Sequence, residues 1–343
     1  LDEAKKILVI QTAFPGDAIL TLPFIQELKK IKANYLIDVL CIPSTEEIFK
    51  YSPFVNEVII LDKKGKYKSV LALIKFIKEL KSKEYSIIYS LHRSFRTSLI
   101  VLGLSVKETY GFDNSSLKFV YKNSIQYKPS EHEVKRNLNF LGDSFNADNW
   151  RIIPELAIPS ESKLKVSGNL TENNIAKFIC IAPGSVWKTK RYPVEYFNKV
   201  VEFFLSEKYQ VVLIGGIEDT ELCSIIQKQH SNNVHNTAGK FSFIETIELL
   251  KNCSLLICND SAPTHLGMCA DIRVLTIYCS TIPGFGFYPY NNKSNYISFD
   301  ELNCKPCGIH GFHSCPIGTF DCAKLLDPQR IIEKAVKLLD DKL

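Results

Sequence analysis

Four short stretches of the 343-residue chain place carboxylates, cations and hydroxyls beside glycine or proline, each directly after an aliphatic run. In the first, Pro15-Gly16-Asp17, glycine permits a tight turn and close approach of a ligand. Asp17 stands where a carboxylate either caps a helix or faces a bound molecule, and capping preference alone favours the cap. The second, APGSVWKTKRYP, spaces Ser185, Lys188, Thr189, Lys190 and Arg191 ahead of Pro193. Hydroxyls and cations without acidic partners suit phosphate oxygens about as well as they suit a solvated loop. The third, CNDSAPTH, sets Asp260, Ser261 and His265 around a helix start whose first turn suits Pro263. One carboxylate and free helix amides can together hold a sugar hydroxyl and a diphosphate. In the fourth, Gly215-Gly216-Ile217-Glu218-Asp219, the acids either stabilise a helix N-terminus or accept hydrogen bonds from a ribose or base.

These residues need strands that end at them and helices that begin there. KILVIQT is strand-like and leads into an amphipathic run from Ala18 to Lys30. Comparable pairs follow: YLIDVLCI with TEEIFKYS, EVIILD with SVLALIKFIKELKS, and YSIIYSL with SFRTSLIVLGL. Between about Asn123 and Val166 the alternation fades, which reads as a helix and then an interdomain connection. It resumes with strands in KFICIAPG, YQVVLIGG, SLLICND and RVLTIYC and helices in PVEYFNKVVEFFLSE, EDTELCSIIQKQ, FIETIELLKNC and APTHLGMCA. A cysteine loop and an amphipathic helix from Pro328 to Leu339 close the chain. Short β-branched runs alternating with helices predict an α/β protein with parallel sheets covered on both faces. The length predicts two domains of roughly 150 residues each.

The composition, 45% apolar, 23% charged and 11% aromatic, is that of a globular protein with a full core and excludes disordered and fibrous classes. No apolar run approaches the ~18 residues of a membrane span. The opening LDEAKKILVI mixes acids with lysines and enters a strand, unlike a secretory signal, so a cytosolic location is the expectation. The net charge of +5 belongs to the first half: residues 1–150 hold 22 Lys/Arg against 17 Asp/Glu, and residues 151–343 hold 20 of each. Such an excess is too small for a nucleic-acid binder but suits an anionic small molecule or membrane surface. Lys63, Lys64, Lys66 and Lys68 read as a wet face or a membrane-attracting patch. No G-x-G-x-x-G, P-loop or G-x-S-x-G follows a candidate strand, which argues against an NAD oxidoreductase, a P-loop ATPase and an α/β hydrolase.

Seven of the eleven cysteines lie in apolar segments and read as reduced core thiols. Cys304, Cys307, Cys315 and Cys322 instead form C-x2-C-x7-C-x6-C, whose first pair has metal-ligand spacing. A structural zinc, reduced thiols, and one or two disulfides all fit this pattern, and His310 or His313 could replace one ligand. A catalytic metal is disfavoured because the loop is expected to lie outside the four turns.

Taken in order, ILVIQTAFPGDAILTLPFIQELKK, APGSVWKTKRYP and HNTAGKFSFIETIELLKNCSLLICNDSAPTHLG resemble glycosyltransferase family 9, the lipopolysaccharide heptosyltransferases, nearly end to end. The resemblance implies a GT-B architecture, two Rossmann-like domains facing a cleft. Residues 1–160 would bind the acceptor, 161–326 the nucleotide sugar, and the helical segment 327–343 would pack back toward the first domain. It also implies inverting transfer of heptose from ADP-heptose to the inner core of lipopolysaccharide, with no cofactor required. Asp17 then becomes the general base, against its capping odds, and Lys190 a catalytic partner of the leaving ADP. Gly16, Ser185, Lys190, Glu218, Asp260, Ser261 and His265 would serve the donor. His92, Arg93 and Arg96 are the best cations for anionic groups of a lipid-linked core acceptor, and the enzyme would touch the cytoplasmic face of the inner membrane. Ala262-Pro263 stand where many members have Gly after the Asp-Ser pair, which bears on donor identity. A transferase of another nucleotide sugar, or a nucleotide-sugar-binding protein without turnover, is the alternative.

Overall fold

The computed structural model describes residues 5–230 and 233–340, and the chain divides into two compact units between Ala157 and Ile158. The first contains β1 (Lys6–Ile10), α1 (Pro15–Ile31), β2 (Leu36–Cys41), α2 (Glu46–Lys50), β3 (Glu57–Ile60), α3 (Val70–Lys81), β4 (Ile87–Ser90), α4 (Phe95–Leu104), β5 (Glu108–Phe112), β6 (Asn123–Ile125) and α5 (Glu133–Leu138). Its six strands are all parallel in the order β3-β2-β1-β4-β5-β6. Ile7, Leu8, Val9 and Ile10 are wholly buried, as a central strand covered on both faces requires. Local chemistry sets the helix starts: Pro15 opens α1, while the hydroxyls of Ser69 and Ser94 accept the amides of Ala72 and Thr97 to cap α3 and α4.

The second unit contains α6 (Ser160–Glu172), β7 (Phe178–Ala182), α7 (Val194–Ser206), β8 (Gln210–Leu213), α8 (Thr220–Gln229), β9 (Val234–Asn236), α9 (Phe243–Lys251), β10 (Leu256–Asn259), α10 (Ala262–Cys269), β11 (Val274–Tyr278), β12 (Asn295–Ser298), α11 (Asp321–Lys324) and α12 (Pro328–Asp340). Its parallel sheet runs β12-β11-β10-β7-β8-β9, the strand order of the first unit repeated. In each sheet the connections reverse direction once, between β1 and β4 and between β7 and β10. That reversal opens a crevice at the strands' carboxyl ends. Three of the four polar stretches lead out of strands β1, β7 and β10, which border these two switch points.

Some of this departs from the sequence expectation. The segment read as a connection contains β6, and α6 begins within it at Ser160. Val166 is the one fully buried side chain of α6, so the helix lacks the apolar stripe by which it would be recognised. The last helix, expected to return to the first domain, sinks Ile331, Ile332, Ala335 and Leu338 into the core of the second unit, where it packs on α7.

Candidate active site

The half-site of the first unit is built where the β1–α1 and β4–α4 turns meet. Asp17 lies in the first turn of α1 and Phe14 occupies the cap position, so the Asp17 side chain is not the helix cap. Thr21 donates to the Asp17 carbonyl at 2.9 Å and accepts from Gln11 at 3.1 Å, tying this turn to the end of β1. Loss of water around the Asp17 carboxylate, followed by the charge of Glu133, pushes its pKa up to about 7. The amides of Asp17 and Phe14 and the Arg93 guanidinium oppose the shift without cancelling it. Glu133 is fixed by the buried Arg136, 2.6 Å away, which also donates to Tyr127 Oη (2.8 Å) and to the carbonyls of Lys128 (2.9 Å) and Pro129 (2.8 Å). The Arg93 guanidinium lies 4.1 Å from the Tyr127 ring centre.

The three cations expected on the acceptor side are not equivalent. Burial, reinforced by Lys63 and Arg93, lowers the His92 pKa to about 4, so His92 is neutral near pH 7. Its Nδ1 is shared between Thr12 (2.7 Å) and Thr97 (3.0 Å). Arg96 donates to the carbonyls of Lys63, Tyr67 and Lys68 at 3.2–3.4 Å and so shapes a loop. Arg93 lies over the Tyr127 ring and acts on the Asp17 carboxyl through its charge.

In the second unit, Lys190 Nζ sits 2.7 Å from Asp260 Oδ2, which also accepts from Thr281 at 2.6 Å. Among the described residues Asp260 Oδ1 takes no hydrogen bond, so one carboxylate oxygen anchors the lysine and the other is open. Asn259 aligns the two stretches by accepting the Tyr192 amide (3.0 Å) and donating to the Pro183 carbonyl (2.8 Å). Ser261 turns its hydroxyl back to the Asn259 carbonyl (3.3 Å) instead of capping, so no side chain closes the first turn of α10. His265 is buried, its Nδ1 has no partner among the described residues, and burial lowers its pKa to about 4. An open helix start and an unpaired buried donor or acceptor beside a Lys–Asp pair form a polar site fit for an anionic sugar derivative.

The other predicted donor residues are placed differently from one another. Ser185 is buried and its carbonyl accepts Arg191 Nε at 2.7 Å. Glu218 is exposed after β8. Its neighbour Asp219 presses on two glycines: a Cβ on Gly184 would stand 2.1 Å from Asp219 Oδ1, and one on Gly215 2.7 Å from Asp219 Cβ. Gly16, assigned to the donor on sequence, belongs to α1 in the first unit.

The cysteine loop lies against the second polar stretch, contrary to expectation. The Thr189 amide donates to the Phe312 carbonyl (3.1 Å), and Thr189 Oγ1 accepts the Phe312 amide (2.8 Å) and the Ser280 hydroxyl (3.0 Å). Gly311, at φ +79°, permits this contact, since a Cβ there would lie 2.9 Å from Thr189 Oγ1. The Trp187 and His313 rings lie tilted at 43°, with centres 4.9 Å apart. Cys304, Cys307, Cys315 and Cys322 line a pocket of about 380 Å³. Among the described residues no three His, Cys, Asp or Glu side chains form a group that could hold a metal ion. Cys322 joins the apolar core, and although burial disfavours the Cys315 thiolate, the amides of Phe320, Ile317, Gly318 and Thr319 outweigh it and lower that pKa.

Residues 73–311, well over half of the chain, match the family model "Glycosyltransferase family 9 (heptosyltransferase)". The chain belongs to glycosyltransferase family 9. It is 26% identical to lipooligosaccharide heptosyltransferase 2 of Campylobacter jejuni, over 97% of this chain and 99% of that protein. To lipopolysaccharide heptosyltransferase 3 of Escherichia coli it is 26% identical, over 83% and 86% of the two chains. The solved structure of a family 9 glycosyltransferase from Veillonella parvula superposes with a TM-score of 0.86 at 23% identity, covering 99% and 98%. That of E. coli ADP-heptose heptosyltransferase II gives 0.79 at 21%, covering 97% and 98%. The fold is therefore GT-B, with two Rossmann-like units.

Within the family 9 frame, sequence reasoning missed several residues that build the site: Glu133, Arg136 and Tyr127 around Asp17, and Asn259 and Thr281 around Lys190 and Asp260. Asn259 was within reach, since it sits at the end of β10 inside a singled-out stretch. Thr281 and Glu133 lie 21 residues or more from the groups they serve and carry no local signature.

Proposed function

We propose that this family 9 glycosyltransferase moves heptose from ADP-heptose to the inner core of lipopolysaccharide with inversion. The observation that carries the reading is the division of labour between two aspartates at equivalent switch points. Asp17 is a carboxylate with a pKa near 7, suited to take a proton, and Asp260 is a carboxylate paired to a lysine, suited to anchor. Relatives that match nearly the whole chain bear heptosyltransferase names, which supports the donor and acceptor.

In the reaction, Asp17 takes the proton of the acceptor hydroxyl as that oxygen attacks the anomeric carbon opposite the ADP leaving group. The carbon–oxygen bond to ADP breaks and the diphosphate gains negative charge. Lys190 and the open amides at the start of α10 meet that charge, and their attraction grows toward the transition state. Those groups supply the charge stabilisation that a divalent ion supplies elsewhere, so the transfer is read as metal-independent. Asp260 Oδ1, Ser261 and His265 face the donor sugar and diphosphate, Ser185 the phosphates and Glu218 the nucleoside. Arg93 meets an anionic group of the acceptor. No helix among the described residues is long and apolar enough to cross a membrane. The proposed location is the cytoplasm, in peripheral contact with the inner membrane where a lipid-linked acceptor would lie.

The test is titration calorimetry with ADP-heptose and with UDP- and GDP-sugars, followed by transfer to a core acceptor that lacks the heptose. ADP-heptose is expected to bind and turn over. Binding of another nucleotide sugar in its place overturns the donor, and binding without turnover overturns the enzyme.

A further inference from the structure

The cysteine loop carries two histidines that no step of the transfer uses. Both meet Trp187, in the middle of the second polar stretch. The Trp187 ring centre lies 4.9 Å from that of His313 and 6.2 Å from that of His310, whose plane is within 23° of its own. The His310 side chain is exposed, but its backbone is pinned on both sides. Three residues earlier, the Cys307 amide donates to the Ser280 carbonyl at 2.8 Å. Two residues later, Phe312 exchanges hydrogen bonds with Thr189. Between these anchors a Cβ on Gly311 would stand 3.0 Å from Ser280 Oγ and 3.4 Å from Lys190 Cγ, so glycine lets the loop close on the stem of Lys190 itself.

Both anchors adjoin the Lys190–Asp260 pair. Thr189 precedes Lys190 in the chain, and Ser280 precedes Thr281, whose hydroxyl donates to Asp260 Oδ2. The imidazole feels this pair: partial burial and then the Lys190 charge lower the His310 pKa, and the Asp260 charge opposes them. Near pH 7 such a ring is neutral and still carries one N–H donor. The Lys190 ammonium is shared with Asp260, and a diphosphate offers more acceptor oxygens than one ammonium can serve. A second donor held beside Lys190 therefore has an oxygen to meet.

We propose that His310 is a further donor-binding residue, its imidazole N–H meeting a diphosphate oxygen beside Lys190. The proposal deepens the transfer reading and rests on it for the identity of the site as a diphosphate pocket. As the bond to the sugar breaks, charge gathers on the diphosphate, so the hydrogen bond strengthens as the leaving group departs. Trp187 then serves as the wall that orients the ring.

The test is titration calorimetry of the full chain with ADP and with inorganic pyrophosphate, using two variants at an exposed position. His310→Phe keeps a ring against Trp187 and removes the N–H, whereas His310→Gln removes the ring and keeps an amide N–H. His310→Phe is expected to bind both probes about tenfold more weakly than the wild type, the size of a lost hydrogen bond to a charged group, and His310→Gln to stay within about threefold. In steady-state transfer His310→Phe raises KM for the nucleotide sugar and lowers kcat, and His310→Gln recovers most of both. Wild-type affinity in His310→Phe overturns the proposal. So does the reverse order, with His310→Phe tight and His310→Gln weak, which makes His310 a packing partner of Trp187 and nothing more. A wild type that binds pyrophosphate but not ADP overturns the ADP-heptose donor, and the two variants still decide the role of His310 with pyrophosphate alone. A wild type that binds neither probe overturns both readings.

Discussion

Asp17 and Asp260 occupy comparable places, each just past a central strand of a six-stranded sheet with the same strand order, and yet their surroundings give them opposite chemistry. Around Asp17, burial and then the like charge of Glu133 push the carboxyl pKa up to about 7. Around Asp260, Lys190 and Thr281 converge on one oxygen, and the carboxylate anchors the lysine. A repeated topology thus provides two equivalent crevices, and the neighbours delivered by distant loops decide whether an acid removes a proton or orients a cation.

The largest test of this contrast is Asp17→Asn. Steady-state kinetics should show turnover down by about 10²–10⁴, with donor affinity by calorimetry nearly unchanged. A rate within a few-fold of wild type would erase the distinction between the two aspartates. Next comes Lys190→Ala, expected to cost about 10²–10³ in turnover because the leaving diphosphate loses its cation. Asp260→Asn should instead act mainly on donor binding. Identical kinetic signatures for Asp17→Asn and Asp260→Asn would break the comparison outright.

Smaller effects sharpen it. Gly184→Ala forces the Asp219 carboxylate away from the second polar stretch, and thermal or denaturant unfolding should show a loss of about 1–3 kcal/mol. Asp17→Asn should also change stability with pH. A raised carboxylate pKa means that the folded chain holds a proton the unfolded chain releases, so the wild type loses stability as pH rises from about 4 to about 7. The variant avoids that loss and should be more stable by up to about 4 kcal/mol above pH 7, converging with the wild type in acid. The smallest effect is expected of Glu133→Gln. Removing the like charge lowers the Asp17 pKa, so the acid limb of the kcat/KM profile, near pH 7 in the wild type, should move to lower pH. An unmoved limb would assign the shift to burial alone.

Legibility followed the range of the interactions. The strand leading to each of the four polar stretches was plain in the chain, because a strand buried on both faces is a continuous aliphatic run. The short strands β6 and β9 and the polar helix α6 were not, since few of their residues meet the core. Lys190 and Asp260 could each be singled out from a turn. Their 2.7 Å approach could not, because it arises from the pairing of β7 with β10 across some seventy residues. His92 and Arg96 looked like ligand cations by residue type, and only their packing made one neutral and the other part of a loop.

By itself the sequence determined the α/β class, the order of the polar turns and the family, all of which depend on local periodicity and on residues close together in the chain. The tertiary structure alone decided which acid has a raised pKa, that His92 is held neutral, and that the cysteine loop leans on Thr189. Those outcomes depend on burial and on through-space charge, and both are set by residues that meet only after the sheets have formed.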